Sequence, residues 1–450
     1  MAGFEQIIEL YSTLVEKPQT DFGWAKGLEN AKAHNYTQEW FDTLPSEIWQ
    51  YCAAVGNPFK LGHIDKGLTV VDLGCGAGVD LLISAYLVGV EGKAIGVDIT
   101  PKMVDKAKSH ALLGGFTNVE VFQSSFDTID VEDASIDIVI SNGAINLTSC
   151  KESVFAEIYR ILKNDGKIYF ADMIDISEET YCSNTEATSC CASEKEDWAN
   201  CVTGTLKKEK LIDIIKDAGF KDVKCVAVNH YTTADTTRGA TFKATKMSMK
   251  ERRHKHWENI YKTKDTTKVF WHQTSPMKSL KLIEKYSYSN ASVIDVGCGT
   301  SLLVDELLQN NYVDISLLDT AQSSLDIIKK RIPKKNVNYI CEDILDFKSD
   351  SKFDIWHDRA VFHFLLTKEE RIRYLEVLKD SLKDDGIAII STFKIDGPIS
   401  CAGLDIVQYD HISMASELTN ELELIESEEY IHITPSQNEQ KYIYFMIKKK

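Results

Sequence analysis

The sequence predicts two consecutive α/β domains, each built on a mostly parallel, doubly wound sheet. Three observations lead there. A short β-branched run closing on a glycine-rich turn occurs twice, as TVVDLGCGAG at 69–78 and SVIDVGCGTS at 292–301. Downstream of each copy, strand-like and helix-like stretches alternate at matching intervals. The 450 residues are enough for two or three domains of ordinary size.

The elements follow one another in the same order in both halves. The first strand ends in an acid, Asp72 or Asp295, two residues before Gly74 or Gly297, and the two acids lie 223 residues apart. Helix-like VDLLISAYLV and LLVDELLQN come next, as at the start of a βα unit. A second strand ends in Asp98 (AIGVDIT), 26 residues after Asp72, and in Asp319 (ISLLDTA), 24 after Asp295. FDTIDVEDASIDIVISN and FDIWHDRA then lead to the helices SVFAEIYRILK and RYLEVLKDSLK. A strand opened by a glycine turn follows, with Gly166 94 residues after Asp72 and Gly386 91 after Asp295. Between the halves, residues 243–276 are basic and show no strand periodicity. The boundary is therefore placed near Met247, giving domains 1–247 and 248–450, with MKERRHKHWENIYK as an N-terminal cover of the second.

Composition narrows the function classes. With 44% apolar and 26% charged residues the chain reads as an ordinary soluble protein, and no run approaches the ~18 apolar residues of a membrane span. The N-terminus lacks the pattern of a secretory signal, so the expected location is cytoplasmic. A net charge of −17 argues against a nucleic-acid surface and for small-molecule partners. Eleven cysteines in a reducing compartment point to thiolate chemistry or metal binding rather than disulfides. Cys182, Cys190, Cys191 and Cys201 fall within twenty residues. Nothing in the sequence bears on oligomeric state.

The acids choose between ligands for the glycine-rich turns. A dinucleotide brings a pyrophosphate, which suits bare backbone N–H groups and suits a nearby carboxylate badly. S-adenosyl-L-methionine brings an ammonium and a sulfonium, which Asp72 and Asp295 are placed to complement. Asp98 and Asp319, at the ends of the second strands, have the lone pairs to accept both ribose hydroxyls. Strand-end turn residues are the alternative for any one pair, and two copies in register weaken it. These residues resemble class I S-adenosylmethionine-dependent methyltransferases over nearly the whole chain. The resemblance implies two Rossmann-like domains of seven strands each, the donor at the strand ends, and in-line methyl transfer. The cofactor-binding set it implies is Asp72, Gly74, Gly76, Asp98, Ser125 and Asn142 in the first domain, and Asp295, Gly297, Gly299, Asp319 and Asp343 in the second. Ser125, in QSSF, stands where many relatives carry an acid for the adenine amino group, and Asp343 keeps that acid.

Residues 20–247 are similar to the arsenite methyltransferase family, through AVGNPFKLG, VVDLGCGAGVDLLISAYLVG, IGVDITPKMVDKAK, VISNGAINL, FAEIYRILKNDGKIYFADM and WANCVTGTL. In that family thiolates hold As(III), the substrate, beside the donor. Cys201 matches one of those cysteines; the others fall at or near Asn57, Leu81 and Asp235, with Cys52 close to the first. Cys190 and Cys191, about ten residues before Cys201, are candidates to complete a trigonal As(III) site. Structural zinc with Cys182 as fourth ligand is another reading, although the spacing differs from zinc knuckles. Cys75, Cys225, Cys298 and Cys341 read as small core residues. Asn142, after the fourth strand, is either an amide orienting the acceptor or a turn residue.

Residues 248–450 resemble a separate bacterial branch of class I methyltransferases, marked by VIDVGCGTSLLVDELL, FDIWHDRAVFHFL and STFKIDGPISCAGLDIVQYD. His357 with Asp358 is the candidate general base there, followed by Arg359 and His363; a packing and salt-bridge cluster is the alternative. Trp257, Tyr261, Trp271 and His272 either close over a ligand or pack the cover to the sheet. The expectation is a tandem methyltransferase whose first site takes arsenite or another thiophilic acceptor and whose second takes an unknown small molecule. Two other readings stand beside it: organic metabolites at both sites with incidental cysteines, and a metalloid sensor on a retired catalytic fold.

Overall fold

The structure, a computed structural model, describes residues 2–177, 204–333 and 337–450. Its contacts divide the chain into two units, Met1–Met249 and Lys250–Lys450.

The first unit opens with helices α1 (Ala2–Glu16), α2 (Leu28–Ala33) and α3 (Gln38–Thr43), which precede the repeated region. The alternating part follows: β1 (Thr69–Leu73), α4 (Val79–Val88), β2 (Lys93–Asp98), α5 (Pro101–Leu113), β3 (Val119–Gln123) and β4 (Ile136–Asn142). It continues with α6 (Lys151–Ile161), β5 (Leu162–Asp175), β6 (Leu206–Lys207), α7 (Lys208–Asp217), β7 (Phe220–Val228) and β8 (Thr237–Lys246). The sheet runs β3-β2-β1-β4-β5-β8-β7, parallel as far as β5 and antiparallel at β8 and β7. The short β6 pairs with β5 off this path, so the expected seven strands become eight. The segment from 243 also holds more strand than its composition suggested, because β8 extends to Lys246, pairing Lys243 with Tyr169 and Thr245 with Lys167. Helix α4 is apolar on two sides because it is covered on both. Leu81 and Ala85 pack with Cys75 and Ala94, while Val79, Leu82 and Ile83 meet Trp40 and Trp49 from the N-terminal segment.

The second unit repeats the scheme. It comprises α8 (Met249–Thr263), which begins at the division, then α9 (Met277–Tyr286), β9 (Ser292–Val296), α10 (Leu303–Gln309), β10 (Asp314–Asp319), α11 (Gln322–Arg331) and β11 (Asn338–Cys341). After these come β12 (Phe353–Arg359), α12 (Lys368–Ser381), β13 (Leu382–Phe393), β14 (Ser400–Cys401), β15 (Leu404–Asp405), α13 (His411–Glu417), β16 (Leu422–Ile433) and β17 (Glu439–Lys449). The seven-stranded order is β11-β10-β9-β12-β13-β17-β16, with β14 and β15 a separate pair.

Of the four cysteines expected in the cores, two are not fully buried, although Cys225 still packs against the first core. Cys75 and Cys298 are buried, but Cys225 is partly exposed and Cys341 exposed, because β7 and β11 are edge strands with one flank open. Among the described residues no helix is long and apolar enough to cross a membrane. In each sheet the strand order reverses beside the first strand, between β1 and β4 and between β9 and β12. A crevice at the carboxyl ends of such strands is where an open α/β sheet takes a ligand.

Candidate functional site

Asp72 and Asp295 are the penultimate residues of β1 and β9, and Asp98 and Asp319 end β2 and β10. The glycine after each first strand has left-handed backbone, with φ +76° at Gly74 and +62° at Gly297. A side chain at either would run into Ala144 or Val361, so the turn can pass close to the next strand end only as glycine.

In the first unit one open cavity of about 1240 Å³ is lined by Asp72, Gly74, Gly76, Asp98, Ser125 and Asn142 together. Ile7, Tyr11 and Leu14 of α1 contribute an apolar wall. Asp98 accepts the Gly76 N–H at 2.9 Å on one oxygen and the Thr100 N–H at 2.8 Å on the other, leaving lone pairs on both. Burial nonetheless raises its carboxyl above the usual range. Ser125 donates to Asp127 at 2.6 Å, and both line the cavity.

Asp80, in the first turn of α4, is a third buried acid on the same cavity and was not singled out from the sequence. An acid in a helix's first turn looks ordinary, since the helix dipole favours it. Its carboxylate accepts the Tyr36 hydroxyl at 2.7 Å and the Asn142 amide at 2.9 Å, yet burial pushes its pKa up to about 6. Asp72 is raised well above the carboxylate range by burial first and then by the charges of Asp80 and Asp98. Its Oδ2 has no hydrogen-bond partner. Among the described residues no Lys, Arg or His lines this cavity. Three crowded acids, one with an unmet oxygen, fit a cationic ligand, which is what the ammonium and sulfonium of S-adenosylmethionine provide.

Asn142 lines the cavity, but its amide is occupied. Oδ1 accepts the N–H groups of Val55 at 2.9 Å and Gly56 at 3.3 Å, while Nδ2 donates to Asp80, to the Gly56 carbonyl at 3.0 Å and to the Tyr36 hydroxyl at 3.1 Å. It is a clamp that ties the 55–56 backbone to the strand end.

Cys182, Cys190, Cys191 and Cys201 lie outside the described residues. Of the positions matched to the other family cysteines, Leu81 is core, and Asn57 accepts the Phe59 N–H while donating to the carbonyls of His34 and Asn35. Asp235 lies in the exposed turn before β8. Cys52 and Cys150 line the cavity; burial pushes the Cys52 thiol up, which keeps it protonated, and Cys150 is exposed. Among the described residues no group of three or more His, Cys, Asp or Glu side chains is arranged to hold a metal ion.

In the second unit the corresponding residues border two adjoining cavities of about 830 and 550 Å³, which share Tyr261, Trp271, Gly297 and Arg359. Asp319 and Asp343 line the larger, Asp295, Gly299 and His357 the smaller. Asp319 repeats the geometry of Asp98, accepting Gly299 and Ala321 N–H groups at 2.8 Å each, and burial pushes its pKa up to about 6. Asp343 accepts the Leu345 N–H at 2.9 Å. Trp257, Tyr261 and Trp271 form a packed aromatic cluster that also lines these cavities, and His272 lines the smaller one.

The expected pairing of His357 with Asp358 is corrected by the strand. Both lie within β12, where neighbouring side chains point to opposite faces. Asp358 turns into the core and accepts the Val361 and Phe362 N–H groups and, at 2.5 Å, the Tyr374 hydroxyl. It lines neither cavity of this unit. His357 instead bonds Asp295 at 2.6 Å through Nδ1 and Ser279 at 2.9 Å through Nε2. Because a carboxylate only accepts, Nδ1 carries the proton, and Nε2 is engaged by the Ser279 hydroxyl. No ring nitrogen is left over for base catalysis. Strand register makes the contrast between the units explicit: His357 faces Asp295 where Ile140 faces Asp72, so Arg359 stands in the place of Asn142. Eight residues after each first acid, Leu303 replaces Asp80.

Residues 64–219 match a family model described as a methyltransferase domain, and residues 293–386 match a second model so described. Among curated proteins, the arsenite methyltransferase of Halobacterium salinarum is 32% identical over 169 residues, covering 38% of this chain and 41% of that protein. The arsenite methyltransferase of Rattus norvegicus is 32% identical over 178 residues, covering 37% and 45%. The chain thus spans less than half the length of these relatives, and the likeness falls in its N-terminal region. Among solved structures, an arsenic (III) S-adenosylmethionine methyltransferase from Chlamydomonas reinhardtii is 26% identical with a TM-score of 0.35, covering 48% of this chain and 73% of that one.

Proposed function

We propose, from the premise that this chain carries two class I methyltransferase domains in tandem, that both bind S-adenosylmethionine and that the first methylates arsenite or a similar thiophilic acceptor. The second acts on a different small molecule. The observation that carries the donor assignment is the trio of buried acids, Asp72, Asp80 and Asp98, on a cavity whose described lining holds no basic side chain. When bound, the donor supplies an electrophilic methyl group on a positively charged sulfur.

The chain's own residues do the rest. Asp72 and Asp80 complement positive charge, Asp98 offers a lone pair on each oxygen to a diol, and Gly74 and Gly76 let backbone approach. Asn142 and Tyr36 hold Asp80 in place, and α1 supplies an apolar wall that excludes water. In the second domain Asp295, Asp319 and Asp343 take the corresponding roles, with His357 orienting Asp295. The domain boundary is assigned near Met247. For the acceptor, Cys201 with Cys190 and Cys191 remains the candidate thiolate set.

Two measurements test the reading. Calorimetric titration with the donor should give two equivalents per chain; a sensor on a retired fold need not, and failure of both sites to bind would sink the assignment. Cys201→Ser should abolish arsenite-dependent transfer of label while the first site still binds donor. Retained turnover would remove the cysteine from the mechanism.

A further inference from the structure

Arg359 ends β12 at the position that Asn142 holds in the first domain, and it lines both cavities of the second. Its guanidinium is only partly used. Nη1 donates to the Trp271 carbonyl at 2.9 Å, and the charge lies 5.2 Å from the Tyr442 ring centre. Nε and Nη2 are both buried and make no hydrogen bond of proper geometry. These two nitrogens form one edge of the planar group, with two N–H bonds running side by side, the fork that matches the two oxygens of a carboxylate.

The neighbouring strands extend the pattern. Ser391 pairs in register with Arg359, and Tyr444 with Ser391, so the three side chains share one face of β12, β13 and β17. Tyr442, two residues along β17, lies on the same face. The hydroxyls of Ser391, Tyr442 and Tyr444 are also buried without hydrogen-bond partners; that of Tyr444 lies beside the guanidinium without aligning to it. The acid on the flanking strand, Glu428, is engaged by Lys278. The hydroxyls can accept as well as donate and line neither cavity, but the Arg359 fork is a pair of charged donors costly to bury unmet, and an anion with oxygen acceptors relieves that cost.

We infer that the second domain binds a carboxylate-bearing methyl acceptor, held by the Nε–Nη2 edge of Arg359. The inference rests on the methyltransferase reading of this domain and names the substrate class it takes. Among the described residues the first domain has no counterpart: the amide at the same position is fully engaged, and whereas acids line the cavities of both domains, no basic side chain lines the first.

The test uses the full chain saturated with S-adenosylhomocysteine and titrated with benzoate and malonate, against benzamide and malonamide as uncharged counterparts. The carboxylates should bind saturably and the amides about ten- to a hundredfold more weakly. Arg359→Gln should lose carboxylate affinity by a similar factor, and so should Arg359→Lys, because an ammonium has no fork. Equal affinity for acids and amides, absence of saturable carboxylate binding, or undiminished affinity in both Arg359 variants overturns the inference. Should those variants lose cooperative unfolding, Tyr444→Phe and Ser391→Ala carry the test: weakened carboxylate binding in either supports the anion site, and unchanged affinity in both overturns it. S-adenosylhomocysteine titrated alone into the wild-type chain separates the two levels. A missing second equivalent removes the methyltransferase reading of this domain, whereas a normal one without carboxylate binding removes only the present inference.

Discussion

Asp72 is buried beside two other acids with one oxygen unmatched, a state that favours protonation until a cation arrives. Its replacement should therefore act through binding. Asp72→Asn is expected to weaken donor affinity at the first site by roughly 1.5–3 kcal/mol, the worth of a charged hydrogen bond, while the second equivalent in the same titration is unchanged. The pH dependence follows from the raised values. Asp80 sits near 6 without ligand and Asp72 is also raised, and a bound cation lowers both, so the complex holds fewer protons than the free protein. Affinity at the first site should fall as pH drops through about 6, with protons released on binding, which titrations in buffers of different ionisation enthalpy measure directly. The acids at the two first-strand ends were legible because a repeat displayed them twice. Asp80 was not, since one acid in a helix's first turn carries no mark of where the helix points. The pairing of His357 with Asp358 was misread by adjacency, although strand alternation already places such neighbours on opposite faces.

Among the elements, the strands and helices that alternate after each glycine turn were readable from periodicity, because a buried parallel strand and its covering helix each leave a compositional trace. The N-terminal segment was harder. Helices α2 and α3 are six residues each, too short for a periodic signal, and their place over α4 is set by distant aromatic contacts such as Trp40 and Trp49. The strand β6, two residues long, is defined only by its pairing with β5. Asn142 joins this N-terminal region to the sheet, and its role can be isolated. Asn142→Ala leaves the Val55 and Gly56 N–H groups and an Asp80 oxygen without their partner. A loss of about 1–3 kcal/mol in denaturant unfolding is expected, together with weaker donor binding at the first site. An unchanged unfolding midpoint would show that the clamp is incidental.

For the whole molecule, the internal repeat carried most of what the sequence revealed, since two copies in register separate shared purpose from local accident. It could not reveal how the copies differ, because those differences lie in side chains that strand register brings opposite one another: Ile140 against His357, Asn142 against Arg359. The chain divides into its two compact units between Met249 and Lys250. Residues 1–249 and 250–450 produced separately should each unfold in one cooperative transition and each bind one equivalent of donor, checked by calorimetry. Failure of either piece to fold would mean that the units depend on each other.

The exchange of Asp80 for Leu303 also bears on turnover. Once a sulfonium has given up its methyl group it becomes a neutral thioether, so of the donor's two positive charges only the ammonium remains for the pocket's acids to hold. The first cavity gathers three buried acids, Asp72, Asp80 and Asp98, with Asp127 also on its lining; the second unit has Leu303 in place of Asp80 but keeps Asp295, Asp319, Glu342 and Asp343 on its two cavities. In each domain as proposed, methyl transfer therefore removes one of the two charges that the acids complement, so donor titrated against spent donor should displace it at both sites.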